Sequence, residues 1–261
     1  MTRKPIFTGE PFERFVAILI ALVTIIAAIA GFLQADAGAR SDTALRDAQR
    51  FALQAMGEKS RGEVQAGYAW TDAYRLWLEM DSLAFSAKQG GETEIAREYE
   101  AVRDRLAQVN PLLSPPYFNP SSGAFPDINA YEADLYLIDS TSLVEHFANS
   151  ATISDEWDNK SSAYVSHLTL LTVALFLLGL SVTIVGRARW MFVVMGTVIA
   201  GIAVVWMAIT AVKPVGAVPE PAMDAYAHGV GLAFEEKYEQ AVQAFDAVSY
   251  THLTLPTSDL V

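Results

Sequence analysis

The chain has no cysteine and only four histidines in 261 residues. Without thiols there is no disulfide, no thiolate nucleophile and no thiolate metal ligand, and nothing marks a redox compartment. A phosphate loop, a zinc-binding helix motif and a nucleophile elbow are also missing. Gly229-Val230-Gly231 is a piece of a glycine motif with no strand before it. The sequence therefore predicts no catalytic residue, no cofactor and no metal site, and an enzyme is the least expected class. A second absence is local. Phe15–Leu33, Tyr164–Gly186 and Trp190–Val212 contain no Asp, Glu, Lys or Arg. At about 1.5 Å of rise per residue, roughly 20 apolar residues match a hydrocarbon core of about 30 Å, so each run predicts a membrane-spanning helix.

What charge there is lies between these runs. The net charge is −12, and residues 34–163 carry 11 basic and 21 acidic side chains. Such a surface confers solubility and argues against nucleic acid as a partner. Orientation is closer. With the N-terminus inside, Arg3, Lys4, Arg14, Arg187 and Arg189 face Arg40, Arg46, Arg50, Lys160 and Lys213, five against five. Long segments cross largely regardless of charge, whereas Arg187 and Arg189 occupy a tight hairpin. Arg14, Arg187 and Arg189 are thus the topology-setting residues, and they predict a cytoplasmic N-terminus. Ala35-Asp36-Ala37 resembles a signal-peptide cleavage site, but the 19-residue apolar run before it exceeds the usual signal core of about 7–15 residues and favours an uncleaved anchor.

Residues 34–163 read as helix. Ala66, Ala69/Trp70, Ala73, Leu76/Trp77, Met80 and Leu83/Ala84 keep helical period and predict one helix from about Asp42 to Lys88, which can run on directly from the first span. Gly57, Gly62 and Gly67 are its weak points, each costing about 1 kcal/mol against Ala, and Gly90-Gly91 ends it. A second helix from near Thr93 offers Ile95, Tyr99, Val102, Leu106 and Val109 as a seam for another helix. It stops before Asn110-Pro111, and five prolines make Pro111–Asp127 a loop. A third helix starts near Ile128 with Tyr131, Leu135 and Ile138 on one face. Ser154 with Asp155 and Glu156 reads as a helix start that feeds the second span.

Several side chains invite a functional role. Asp155, Glu156 and Asp158 could bind a divalent cation, but no glycine turn or alternating oxygen ligands accompany them. Tyr117, Phe118 and Phe125 are candidates for partner contact; the competing reading is that they pin the proline-rich loop to the bundle. Trp70, Tyr74 and Trp77 fit a core. His146 and His167 lack a matched partner for a metal or proton relay. The spans offer no charged pathway and read as anchors, with Ala17/Ala21 and Gly196/Ala200 able to permit close helix contact. Trp190 and Trp206 suit the membrane interface.

After the linker Lys213–Pro221, the pattern in residues 222–248 resembles one tetratricopeptide repeat. Gly229 stands where the two helices cross, Tyr238 opens the second helix, and Ala241 and Phe245 fill its packing positions; Ala225, His228 and Leu232 depart from the family's usual Trp, Leu and Tyr. The resemblance implies stacked helix pairs that form a protein- or peptide-binding groove, normally from about three or more units. A lone unit therefore implies a truncated array. Residues 249–261 resemble translated sequencing-adapter read-through and are expected to be non-native, which removes His252 from functional argument.

The expectation is an all-α, multi-pass protein of a bacterial plasma membrane. Residues 1–14 form a cytoplasmic tail; 15–33, 164–186 and 190–212 span the membrane. Residues 34–163 form an extracytoplasmic helical bundle, 187–189 a cytoplasmic hairpin, 213–221 a linker and 222–248 a partial repeat. The lipid bilayer is one partner and a protein or peptide at the repeat another. The expected function is a membrane-anchored scaffold or adaptor. The alternatives are a sensor with a ligand-binding bundle, whose layout resembles bacterial four-helix sensor modules, and an accessory subunit of a transport or envelope-assembly complex.

Overall fold

The computed structural model describes residues 10–253 by backbone and 11–248 by side chain. Arg3 and Lys4, and the last eight residues of the expected foreign tail, lie outside the described residues. Every regular element among the described residues is helical. The helices are α1 (Glu10–Tyr68), α2 (Arg75–Gln89), α3 (Thr93–Val109), α4 (Ile128–Glu132), α5 (Ile138–Thr183), α6 (Ala188–Val212), α7 (Glu220–Phe234) and α8 (Tyr238–Leu253). Single π-helical turns, Ala69–Tyr74 and Ala133–Leu137, join α1 to α2 and α4 to α5. Three helical stretches, in α1, α5 and α6, are long and apolar enough to cross a membrane.

The chain divides into two compact units, residues 1–46 with 150–217, and residues 47–149 with 218–261. The first holds the apolar runs. Val16, Val23 and Ala30 of α1, Leu171, Ala174 and Leu178 of α5, and Val193, Ala200 and Ala203 of α6 form its core. Gly196 permits the closest approach: a Cβ there would lie 3.0 Å from the Ala174 carbonyl oxygen and 3.1 Å from Leu178 Cγ. Ala17 and Ala21, by contrast, are exposed. Above the core α1 and α5 exchange polar contacts. Ser41 Oγ donates to the Ser154 carbonyl and Ser154 Oγ to the Ser41 carbonyl, both at 3.0 Å, and Gln34 Nε2 donates to Ser161 Oγ at 3.3 Å. Ser154 is therefore no helix start: α5 runs through it unbroken, and its hydroxyl is spent between helices rather than on a cap. The second apolar run ends at Thr183, three residues early, because Gly186 at φ +98° reverses the chain. Arg189 lies in the first turn of α6, with its guanidinium carbon 4.1 Å from the centre of the Phe12 ring.

In the second unit, Gly90 caps α2 and Gly91 takes φ +81° before α3 folds back. Here the expected seam is used only in part: Leu106 packs on the core that holds Trp77 and Tyr99 is half-buried. Ile95, Val102 and Val109 are exposed, whereas Ala96 is buried. The α2–α3 contact is made by Ala96, by Leu106 and Ala107 against the core that holds Trp77, and by the ion pairs of Lys88 with Glu100 and Arg103 with Asp81, so the edge carrying Ile95, Val102 and Val109 stays uncovered. Gly62 is likewise no weak point. A Cβ there would fall 2.2 Å from Tyr136 Cβ, so the missing side chain is what lets the π-helical turn 133–137 sit against α1. At the C-terminus α8 continues to Leu253, past Val248 where the repeat was expected to end.

Candidate functional site

The second unit contains an aromatic centre that the proline-rich loop completes. Asn110 and Asn119 accept from the backbone two residues on and start short 3₁₀ turns at Pro111–Leu113 and Pro120–Ser122. This folds the loop so that Leu113 and Phe118 enter a core with Ala73, Tyr74 and Trp77. Phe118 meets Trp77 edge-on at 5.0 Å and Tyr74 at 5.8 Å. Phe118 thus serves packing. Tyr117 is half-buried, lies 5.2 Å from the Tyr131 ring and donates from Oη to Asp134 Oδ2 at 2.8 Å. Burial, then the bond to Asp134, pushes its phenol up to about 12. Of the three candidates, only Phe125 stands in the open, at 78% exposure. Trp70 stacks on Tyr74 at 5.1 Å but is more exposed than the two core aromatics.

The C-terminal helix pair is drawn together at Gly229. A Cβ at this position would come within 2.5 Å of the Phe245 ring, so only glycine admits that side chain. Ala241 is buried beside it, and Tyr238 is the first residue of α8, largely exposed. Two positions over, Gly231 has the same role against another helix, since a Cβ there would lie 2.6 Å from Ile138 Cγ1. The sequence carried this second contact only as part of a fragmentary glycine motif. Nearby is a cleft of about 510 Å³, lined chiefly by apolar atoms of Ala55, Met56, Val144, Phe147, Tyr226 and Val230, with Lys59 and Glu145 at its margin. A volume in the range of about 300–1,000 Å³ with few polar groups is typical of small-molecule sites. Composition gave no sign of it, because three separate segments build it.

The first unit contains a different arrangement, where α5 meets the end of α6. Lys160, 8% exposed, donates to the Lys213 carbonyl that closes α6, and its ammonium lies 5.0 Å from the Trp157 ring centre. Glu156 accepts from Gly216 N at 2.7 Å and so holds the start of the linker. Between them is a cavity of about 270 Å³. One to two turns deeper, His167 is fully buried, with its ring 5.0 Å from Trp206 and 5.9 Å from Tyr164. Neither of its ring nitrogens has a hydrogen-bond partner among the described residues. His146 packs flat on Phe51 at 5.0 Å. Asp155 and Asp158 point outward as exposed residues of a continuous helix. Arg14 and Arg187 are exposed.

No protein-family model, curated protein or solved structure matches this chain. The helices themselves define the class: among the described residues the chain is helical, with three stretches long and apolar enough to cross a membrane.

Proposed function

We propose that the protein is a membrane-anchored helical scaffold that presents its second unit to a protein partner. The observation that carries this reading is the uncovered apolar edge of α3. Ile95, Val102 and Val109 are 43, 46 and 73% exposed on a helix that ion pairs hold to α2, and Phe125 adds another exposed ring. Large apolar side chains exposed in series cost solubility unless something covers them. The tetratricopeptide-like pair α7–α8 supports the same reading through its Gly229–Phe245 crossing. In this proposal the chain enters the bilayer with its N-terminus cytoplasmic, and residues 34–163 and the helix pair lie outside the cytoplasm. The test is photo-crosslinking in cells from Val102 or Val109 in the full chain, with exposed Arg61 as control. A discrete adduct at the α3 positions is expected, the adduct from Val109 being lost in Val102→Glu and retained in Arg61→Glu. Equal adducts from all three positions, or none, would reject the scaffold.

The cleft of about 510 Å³ favours a second reading, a sensor whose bundle takes a small apolar ligand. A screen of amphipathic compounds by thermal shift on the full chain separates the two. A reproducible shift abolished by Val144→Trp, which fills the cleft, promotes the sensor.

A further inference from the structure

We infer that the cavity between α5 and the end of α6 binds the phosphodiester of an anionic phospholipid headgroup, with the lipid chains lying along the two helices. The inference rests on reading the apolar runs as membrane spans.

The cavity lies where the polar part of α5 gives way to its apolar run. Glu156, Asn159 and Lys160 line it from α5, and Trp206, Thr210 and Lys213 from α6 and its end. Its volume of about 270 Å³ equals that of about nine waters at roughly 30 Å³ each, room for a phosphate and a glycerol. An ammonium has three donors. Lys160 gives one to the Lys213 carbonyl, and its side chain lines the cavity although it is more than nine-tenths buried. Burial pushes the pKa of Lys160 down; the charges of Lys213 and Arg40 push the same way, while Glu156 opposes them. A further negative charge would relieve that penalty. With Arg40 paired to Asp36, Lys160 and Lys213 against Glu156 leave one positive charge in excess, the charge that one phosphodiester cancels. A soluble anion would need no greasy wall. Here the wall continues from Trp206 and Ile209, 48 and 61% exposed, to Val205 and Ile202, 61 and 56% exposed, which is a track for acyl chains. In the proposed topology the cavity faces the outer leaflet, where an interfacial tryptophan beside two basic side chains suits the membrane boundary.

The experiment uses the full chain in mild detergent, read by native mass spectrometry and thermal shift during titration with phosphatidylglycerol, phosphatidylcholine or free glycerol phosphate. One phosphatidylglycerol per chain, held in preference to phosphatidylcholine, is expected. Lys213→Gln should weaken retention about fivefold, the factor that corresponds to ~1 kcal/mol for one basic residue near an anionic lipid surface. Lys213 is exposed, so this variant should fold even if Lys160→Gln, which loses the contact at the end of α6, does not. Equal retention of the two lipids, or retention unchanged in Lys213→Gln, overturns the site. Protection by free glycerol phosphate as strong as by the lipid assigns the cavity to a soluble anion and overturns the lipid. Sedimentation of the same chain with membranes separates the two levels. A chain that sediments without lipid preference rejects only this site, whereas a chain that stays soluble rejects the spans as well.

Discussion

At the scale of single residues, three glycines of α1 face different surroundings. Gly62 meets Tyr136, whereas nothing lies within 4 Å of a Cβ built at Gly57 or Gly67. Gly62→Ala must displace Tyr136 and should destabilise by about 1–3 kcal/mol. Gly57→Ala and Gly67→Ala should stabilise by up to about 1 kcal/mol, because alanine restricts the unfolded helix segment without a clash. Denaturant unfolding of the three variants in detergent checks the contrast. His167 makes a separate case. A buried imidazole with no hydrogen-bond partner among the described residues forfeits its hydration, a loss of about 1–3 kcal/mol. His167→Leu is therefore expected to leave thermal stability unchanged or raised. A clear loss would mean that the ring is bonded after all.

At the scale of elements, the loop 111–127 is fixed to the turn 133–137 by the Tyr117–Asp134 bond. The folded phenol ionises near 12, against about 10 when unfolded. As pH passes 10 the unfolded chain loses this proton first, so the stability tied to keeping this buried, Asp134-bonded phenol neutral is full below pH 10 and disappears as pH approaches 12. Tyr74, Tyr131 and Tyr136 are raised too, each mainly by burial, and add to the same slope. Unfolding at pH 9 and pH 11 should show the second unit weaker at the higher pH, and less steeply so in Tyr117→Phe. The helix pair gives a cleaner steric test. Gly229→Ala pushes against the Phe245 ring and should expose α8 to limited proteolysis, while Gly229→Ala combined with Phe245→Leu should recover protection.

Sequence pattern is legible in these elements where one residue type has one physical use. Gly90-Gly91 marks a helix end because Gly91 adopts a positive φ. Charge-free runs mark the candidate spans because length and apolarity are all that such a helix needs. Ser154 misleads because a serine hydroxyl suits an N-cap and an interhelical bond equally. The α3 seam is legible at Leu106 but not at Ile95, Val102 and Val109, because periodicity reports that a helix is amphipathic without saying which neighbour covers it. Lys160 gave no signal: its burial depends on a carbonyl 53 residues away. The two π-helical turns leave no mark in composition.

For the whole molecule, the lack of cysteine gives a clean background for mapping orientation. Single cysteines at Ser122, in the proline-rich loop, and Ala188, in the turn into α6, should label from opposite sides of intact membranes with an impermeant maleimide. Labelling of both from one side would reject the proposed topology. One further consequence comes from Gly186. Only Ile184, Val185, Gly186 and Arg187 separate α5 from α6, and Lys160, midway along α5, holds the Lys213 carbonyl at the other end of α6. In the proposed topology, a connection that short leaves neither rod free to invert alone, so the pair would insert as one hairpin, and an error in sidedness would carry both of them over together.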